Sequence, residues 1–155
     1  MKHIAIFSLI ISFLSASTIN IPADYATIQA GINQSVDGDT VLVAEGIYYE
    51  NLMINKEITL ISTVNFESDI EGNVNWHDNQ IINQTVVNGS VLSNPKKRSC
   101  LIVRDGDIQP TIKGFTFEGG VGTKMNIIAC DAGGGIERSE FTGGGILVYD
   151  AYPTI

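Results

Sequence analysis

Residues 37–54 read DGDTVLVAEGIYYENLMI, and this stretch decides the fold. It begins with the acidic turn Asp37-Gly38-Asp39, continues with the apolar run Thr40–Ala44, and ends with a short run that holds two tyrosines. Short apolar runs bounded by Gly and Asp are typical of β-strands joined by tight turns. Because the stretch contains neither histidine nor cysteine, it predicts architecture rather than chemistry.

The same alternation of strand and turn continues along the chain. Residues 57–62 read EITLIS and place Ile58 and Leu60 on one face of a strand, at a period of two. Phe115 and Phe117 have the same spacing in PTIKGFTFEGG, which closes on two glycines. With 16 glycines in 155 residues, the pattern favours many short strands over a helix bundle.

One segment has a helical pattern instead. Pro22 and Asp24 are helix start signals, and Ile28 and Ile32 are four residues apart. We therefore predict a helix at Thr27–Ser35. Because so short a helix is unstable alone, we expect it to lie against an apolar surface.

A phrase of strand, acidic turn and strand occurs twice. Residues 101–112 read LIVRDGDIQPTI and residues 146–155 read ILVYDAYPTI. From Pro110 to Pro153 there are 43 residues, which predicts two turns of a solenoid at about 20–25 residues each. Residues 65–84 are polar and aperiodic, and we predict that they form an insertion.

The first part of the chain contains four motifs: Tyr25-x-Thr27-Ile28-Gln29 with Ile32, Gly38-Asp39-Thr40-Val41, Gly46-x-Tyr48-x-Glu50-Asn51, and Ile58-Thr59-Leu60. With these motifs it resembles the N-terminal cap and first coil of the right-handed parallel β-helix proteins, the superfamily of pectin methylesterases and pectate lyases. It implies an all-β solenoid with a short N-terminal capping helix. The chain stops directly after YPTI, and solenoids need terminal caps, so the expectation is a chain truncated at its C-terminal end, lacking further coils of its own.

The N-terminus predicts export. Lys2, the apolar run Ile4–Leu14 and the small residues at 15–17 have the order of a secretory signal peptide. The run is too short to span a bilayer of about 30 Å, so we do not expect an integral membrane protein. Residues 1–17 are thus interpreted as the leader and residues 18–155 as one β-helix domain, which is secreted, periplasmic or on the cell surface. The net charge of −8 argues against a nucleic-acid partner.

Two cysteines, Cys100 and Cys130, are present. In an exported chain such a pair suggests a disulfide, and two buried thiols are an equal alternative, because cysteine is also a small core residue. A zinc site is not predicted, since His77 stands alone in the mature chain.

The sequence contains no catalytic constellation that we can assign. A pectin methylesterase would need a run resembling Gly-x-x-Asp-Phe-Ile-Phe-Gly, which is absent. A lyase-like site would need a Ca²⁺ ion, which prefers oxygen ligands, with a basic side chain nearby. The candidate metal ligands are Asp105, Asp107, Asp131 and Asp150, with Arg104 or Arg138 as the base.

The tyrosines suggest sugar contacts. Tyr48, Tyr49, Tyr149 and Tyr152 together would make a stacking platform; Tyr48 is expected to pack against the cap, which leaves Tyr49 and Tyr149 as the candidate ligand-binding residues. Two functions follow from these observations. The first is a non-catalytic exported scaffold that binds polysaccharide. The alternative is the N-terminal part of a polysaccharide-active enzyme, pectate lyase-like or pectin esterase-like, whose active coils lie beyond Ile155.

Overall fold

The computed structural model describes residues 15–63, 84–90, 99–131 and 134–155. Residues 1–14 of the predicted leader and nearly all of the predicted insertion at 65–84 lie outside these ranges. In chain order the elements are β1 Thr18–Ile21, α1 Ile28–Gln34, β2 Thr40–Val43, β3 Gly46–Tyr48, β4 Leu52–Ile54, β5 Thr59–Ser62, β6 Thr85–Asn88, β7 Leu101–Arg104, β8 Thr111–Lys113, β9 Thr116–Glu118, β10 Thr123–Asp131, β11 Gly134–Thr142 and β12 Ile146–Tyr149.

Three parallel sheets make up most of the described chain. Sheet 1 has the order β1-β2-β5-β8, sheet 2 the order β3-β6-β9, and sheet 3 the order β12-β7-β4. Each coil of the chain gives one strand to each sheet in turn, so β2, β3 and β4 form the first complete coil. Parallel strands in stacked sheets with little helix are consistent with the predicted β-solenoid and with an all-β class.

The repeated phrase is stacked on itself. Leu101 pairs with Ile146, and the pairing continues in register to Arg104 and Tyr149. Thr111 forms a parallel bridge with Thr154, so the two Pro-Thr-Ile triplets lie on adjacent coils. The prediction that their 43-residue spacing covers two turns is therefore wrong. The additional residues are those of β10 and β11, which pair as an antiparallel hairpin within one coil.

A row of threonines runs along sheet 1, through neighbours that pair in register from β1 to the final bridge: Thr18, Thr40, Thr59, Thr111 and Thr154. Each is followed by an aliphatic residue, namely Ile19, Val41, Leu60, Ile112 and Ile155. β-Branched residues in adjacent strands pack well on a pleated sheet. A Thr-aliphatic dipeptide therefore occurs at each of these five positions along sheet 1.

The core consists of the rows that point between the sheets. Val41 and Leu60 from sheet 1, Val87 from sheet 2, and Leu52 and Leu101 from sheet 3 are all fully buried. Burying each such side chain stabilises the fold by about 1.5–3 kcal/mol. Burial alternates with a period of two along β2, β4 and β5, whereas β6 and β7 are each buried at three consecutive positions.

In the coil that contains β12, residues that are in register with the buried core are exposed. Val148 continues the row of Ile54 and Val103 and is 41% exposed, whereas both of those residues are fully buried. Ile155 continues the row of Ile112 and is 65% exposed. The described ranges contain no helix with the length and apolar character needed to cross a membrane.

The helix α1 covers the opposite end of the stack. Its N-cap is Thr27, whose hydroxyl accepts a hydrogen bond from the N–H of Ala30 at 3.2 Å, and its C-cap is Ser35. The buried residues of α1 include Ile28 and Ile32, which are the two isoleucines that predict it. The predicted helix at Thr27–Ser35 is thus confirmed with its two end residues as caps.

Three side chains hold α1 against the first coil, namely Glu50, Lys56 and Gln29, of which Gln29 belongs to α1 itself. We call these three residues the polar clamp. The Glu50 carboxylate accepts hydrogen bonds from the N–H groups of Ile28 and Gln29, both at 2.9 Å. Lys56 Nζ donates to the last carbonyls of the helix, those of residues 32, 33 and 35, at 2.6–2.9 Å. Backbone groups at helix ends lack partners within the helix, and charges of these signs suit its dipole. Side chains of the first coil therefore provide hydrogen-bond partners for backbone groups at both ends of α1.

The amide of Gln29 protects the edge of sheet 3. Its Oε1 accepts from the N–H of Met53 at 2.7 Å and its Nε2 donates to the carbonyl oxygen of the same residue at 3.2 Å. β4 is the last strand of sheet 3 on this side, and an unpaired edge invites pairing with another chain. The side-chain amide thus takes the place of a further strand.

The buried Asp39 gives the cap a pH dependence. The N–H of Val36, together with the N–H and hydroxyl of Ser17, donates to its carboxylate at 2.7–3.0 Å. These hydrogen bonds, that of Val36 most, lower the pKa of Asp39 from its ordinary value of 3.8. Because the folded pKa lies below the unfolded one, this stabilisation is fully present above about pH 4 and is lost as the pH falls through the folded pKa.

We therefore expect Asp39→Asn to be less stable than the wild type at neutral pH and to lose less stability on acidification. The measurement is the midpoint of urea unfolding at several values between about pH 7 and pH 3. The two curves should converge towards acid. Curves that stay parallel over this range would show that Asp39 does not contribute in its ionised form.

Candidate functional site

The structure brings together Asp105, Asp107 and Tyr149 among the site residues that the sequence predicts. Asp105 directly follows β7, Asp107 lies two residues further on, and Tyr149 ends β12, which is paired with β7. We call residues 104–107 and 149–152 the β7/β12 corner. Tyr49 lies between β3 and β4 on the first complete coil, and Asp131 lies at the far end of the β10–β11 hairpin, where it pairs with Gly134.

Arg104 and Tyr149 form one outward row of the corner. They are register partners on neighbouring strands, which lie about 4.8 Å apart in a sheet. The preceding row contains the fully buried Val103, and successive side chains of a strand point to opposite faces. Arg104 and Tyr149 therefore project from the outside of sheet 3, and Tyr149 is 54% exposed.

Two aspartates with left-handed backbone conformation turn the chain after this row. Asp105 has φ of 76° and Asp150 has φ of 52°. The N–H of Gly106 donates to the carbonyl oxygen of Asp150 at 3.0 Å, so the two turns are stacked. Asp is among the residues that tolerate this conformation best, yet such positions cost about 1 kcal/mol or more and cluster at functional sites.

The corner carries both signs of charge and a second tyrosine. Arg104 Nε donates to Asp105 Oδ1 at 2.7 Å, in an ion pair whose side chains are 39% and 44% exposed. The N–H of Tyr152 donates to the carbonyl oxygen of Ile108, while the Tyr152 side chain is 66% exposed. The corner thus offers two exposed aromatic rings beside carboxylates and a guanidinium. Such a surface can stack on a ring and hydrogen-bond its substituents.

The four tyrosines predicted as one platform are split by the structure. Tyr149 and Tyr152 lie at the corner. Tyr48 is half-buried against the core, and its hydroxyl donates to the carbonyl oxygen of Ala44 at 2.9 Å. Tyr49 is 59% exposed but belongs to the coil of β4, two coils from β12. Pairing of the repeated phrase is what brings Tyr149 beside Arg104.

The predicted Ca²⁺ site gains no support from the described residues. Among them, no group of three or more His, Cys, Asp or Glu side chains is placed to hold a metal ion. Asp105 is engaged by Arg104, while the side chains of Asp131 and Arg138 lie outside the described part of the structure. Calcium binding by Asp105, Asp107 and Asp131 stays a prediction.

Cys100 has the environment of a structural residue. It is a fully buried free thiol, and its Sγ donates to the carbonyl oxygen of Glu118 at 2.9 Å. Burial raises the pKa of the Cys100 thiol, which lowers its reactivity because the thiolate is the nucleophile. The side chain of Cys130 lies outside the described residues, so the pairing of the two cysteines stays a prediction.

Comparisons of this chain with models of protein families, with curated proteins and with solved structures found no match. The class of the protein therefore follows from its own geometry, in which parallel strands lie in stacked sheets as in a β-solenoid, with the β7/β12 corner as the best-defined candidate site.

Proposed function

We propose that this protein is an exported, non-catalytic scaffold that binds polysaccharide at the β7/β12 corner. We further propose that its stacked sheets form a right-handed parallel β-helix of the pectin lyase-like superfamily, because the cap and first-coil motifs resemble those proteins. The secretory leader in this proposal lies N-terminal to Ser17, whose N–H and hydroxyl donate to the carboxylate of Asp39 in the folded domain.

One observation carries the binding proposal, namely the row of Arg104 and Tyr149. The exposed ring of Tyr149 stands beside a charged side chain on an outer face of the solenoid. Tyrosine supplies a rigid apolar surface at a small cost in entropy. The two stacked turns at Asp105 and Asp150 hold this row on a defined backbone, so the contact surface is preorganised before a ligand arrives.

A long repetitive ligand suits the shape of the site. The corner lies on the outside of a stack of coils that repeat at about 4.8 Å, and a polysaccharide is itself a repeating chain. Each single contact on such an open surface is weak, and several contacts along one chain raise the avidity. This supports a polymer as the ligand rather than a free monosaccharide.

The proposal is tested by affinity electrophoresis in native gels that contain amylose, galactan, xylan or methyl-esterified homogalacturonan. We expect at least one of these to retard the protein, and we expect Tyr149→Ala to weaken that binding about tenfold, which is about 1.4 kcal/mol. The matched control is Tyr49→Ala, which removes an equally exposed tyrosine away from the corner and should leave the retardation unchanged.

Two results would contradict the proposal. One is that both tyrosine variants lose binding equally, or that neither of them loses it. The other is release of reducing or unsaturated ends from the polysaccharide during incubation, because turnover would favour the enzyme alternative over a scaffold.

A further inference from the structure

We infer that the polysaccharide bound at the β7/β12 corner is uncharged. This rests on the proposed function, and it adds the chemical class of the ligand to it.

The charge of the corner is the first reason. The corner contains three carboxylates, those of Asp105, Asp107 and Asp150, and one cationic side chain, Arg104, whose Nε is paired with Asp105 at 2.7 Å. The corner therefore has an excess of negative charge, on a chain whose net charge is −8. A negative surface repels a polyanion and slows its approach. The one positive charge of Arg104 leaves two of the three carboxylate charges of the corner uncompensated.

Hydrogen-bond chemistry gives the second reason. An ionised carboxylate only accepts hydrogen bonds, whereas a hydroxyl both donates and accepts. The hydroxyls of a neutral sugar can donate to the carboxylates of Asp107 and Asp150, which are exposed. A uronate in the same position would set acceptor against acceptor. The exposed rings of Tyr149 and Tyr152 pack on the C–H face of either sugar, so the discrimination comes from the carboxylates.

An acidic glycan could bind here if a Ca²⁺ ion bridged its carboxylates to those of the protein. A bridging ion needs several protein oxygens, since Ca²⁺ takes six to eight ligands. In the ranges that the structure describes, no group of three or more acidic or other metal-binding side chains converges on one point. The geometry therefore favours direct contact with a neutral chain.

A matched pair of probes tests the inference. Homogalacturonan of one chain length is used in its fully methyl-esterified form and in its de-esterified form, so that the backbone is the same and the carboxyl groups are either neutral esters or anions. We expect the neutral form to bind about tenfold more tightly at low salt, with the difference shrinking as ionic strength rises. The measurement is isothermal titration with each polymer, with and without added Ca²⁺.

A charge-removing variant checks that the corner sets the preference. In Asp105→Asn/Asp150→Asn both turns keep residues that accept positive φ, so the fold should persist, as a thermal unfolding curve will show. We expect the preference for the neutral polymer to fall to about threefold or less. If this double variant does not fold, Asp107→Asn takes its place, with a smaller shift in the same direction.

The outcomes separate the inference from the proposed function. Equal or tighter binding of the de-esterified polymer, with or without Ca²⁺, overturns the inference and leaves polysaccharide binding intact. A preference for the neutral polymer that the Asn variants do not change also overturns it. If neither homogalacturonan nor the other glycans bind, the proposed function fails and the inference fails with it.

Discussion

Replacing Gly120 by alanine should lower the free energy of unfolding by about 3 kcal/mol. A Cβ at this position would collide with the backbone carbonyl oxygen of Gly144 and lie 2.8 Å from Cys100 Sγ. That carbonyl accepts the N–H of Cys100 at 3.3 Å and so joins two adjacent coils. Because backbone cannot move aside as a flexible side chain can, the added methyl group must break this contact. Urea unfolding followed by far-UV circular dichroism measures the loss.

Gly145→Ala is the matched control. Gly145 is exposed, and a Cβ added there would meet no atom within 4 Å, so the change should stay within about 0.5 kcal/mol. Equal stability of the two variants would show that the β9–β12 connection repacks freely. In that case the close approach of Gly120 to Gly144 does not require a glycine at position 120.

Local patterns made much of this fold visible in the sequence. Thr27 and Ser35 bound the helix because capping is a matter of adjacent residues, and the isoleucines between them fix its buried face. The strand Thr40–Val43 follows from an apolar run bounded by turn residues, and the strand Thr59–Ser62 follows from a period of two; each segment displays its pattern alone. The β10–β11 hairpin could not be separated from coil strands in the same way, since its residues also have strand character. The coil strands pair with partners far along the chain, such as Thr59 with Thr111, whereas β10 and β11 are neighbours in sequence.

The polar clamp could not be predicted from the sequence, because its hydrogen-bond partners are also far apart along the chain. Glu50 bonds to N–H groups 21 and 22 residues before it, and only closure of the first coil brings them together. The motif Gly46-x-Tyr48-x-Glu50-Asn51 marks these positions without disclosing that Glu50 serves α1. Asn51 likewise donates to the carbonyl oxygens of Gly89 and Ser99, which a reader of the sequence has no means to foresee.

At the β7/β12 corner, the sequence predicts candidate residues from their chemistry but does not predict the arrangement that the structure gives them. Asp105 and Asp107 were chosen as metal ligands for their chemistry, and Tyr149 as a sugar contact. When LIVRD at 101–105 is aligned with ILVYD at 146–150, Arg104 falls opposite Tyr149, and this is the register that the structure shows. The left-handed conformation of Asp150 had no local signal, because alanine follows it where glycine follows Asp105. It arises from stacking on the turn of the preceding coil.

Shortening Ile32 to alanine is expected to cost about 3 kcal/mol and to loosen the whole cap. Ile32 is 1% exposed and belongs to the core cluster. A helix as short as α1 has almost no stability of its own, so its apolar face and the clamp must hold it together. With the apolar anchor reduced, Glu50 and Gln29 retain α1 only weakly, and the edge of β4 opens to solvent.

Hydrogen exchange distinguishes local release of α1 from global unfolding. We expect the amides of Ile28, Gln29 and Met53, which bond to clamp side chains, to exchange faster than that of Val103 in the Ile32→Ala variant. Gln34→Ala, an exposed change on the same helix, should leave all four protected. Uniform loss of protection would instead mean that α1 and the coils unfold as one unit. Because β4 ends a sheet, a released cap should also increase light scattering with protein concentration, which ties the cap to solubility as well as to folding.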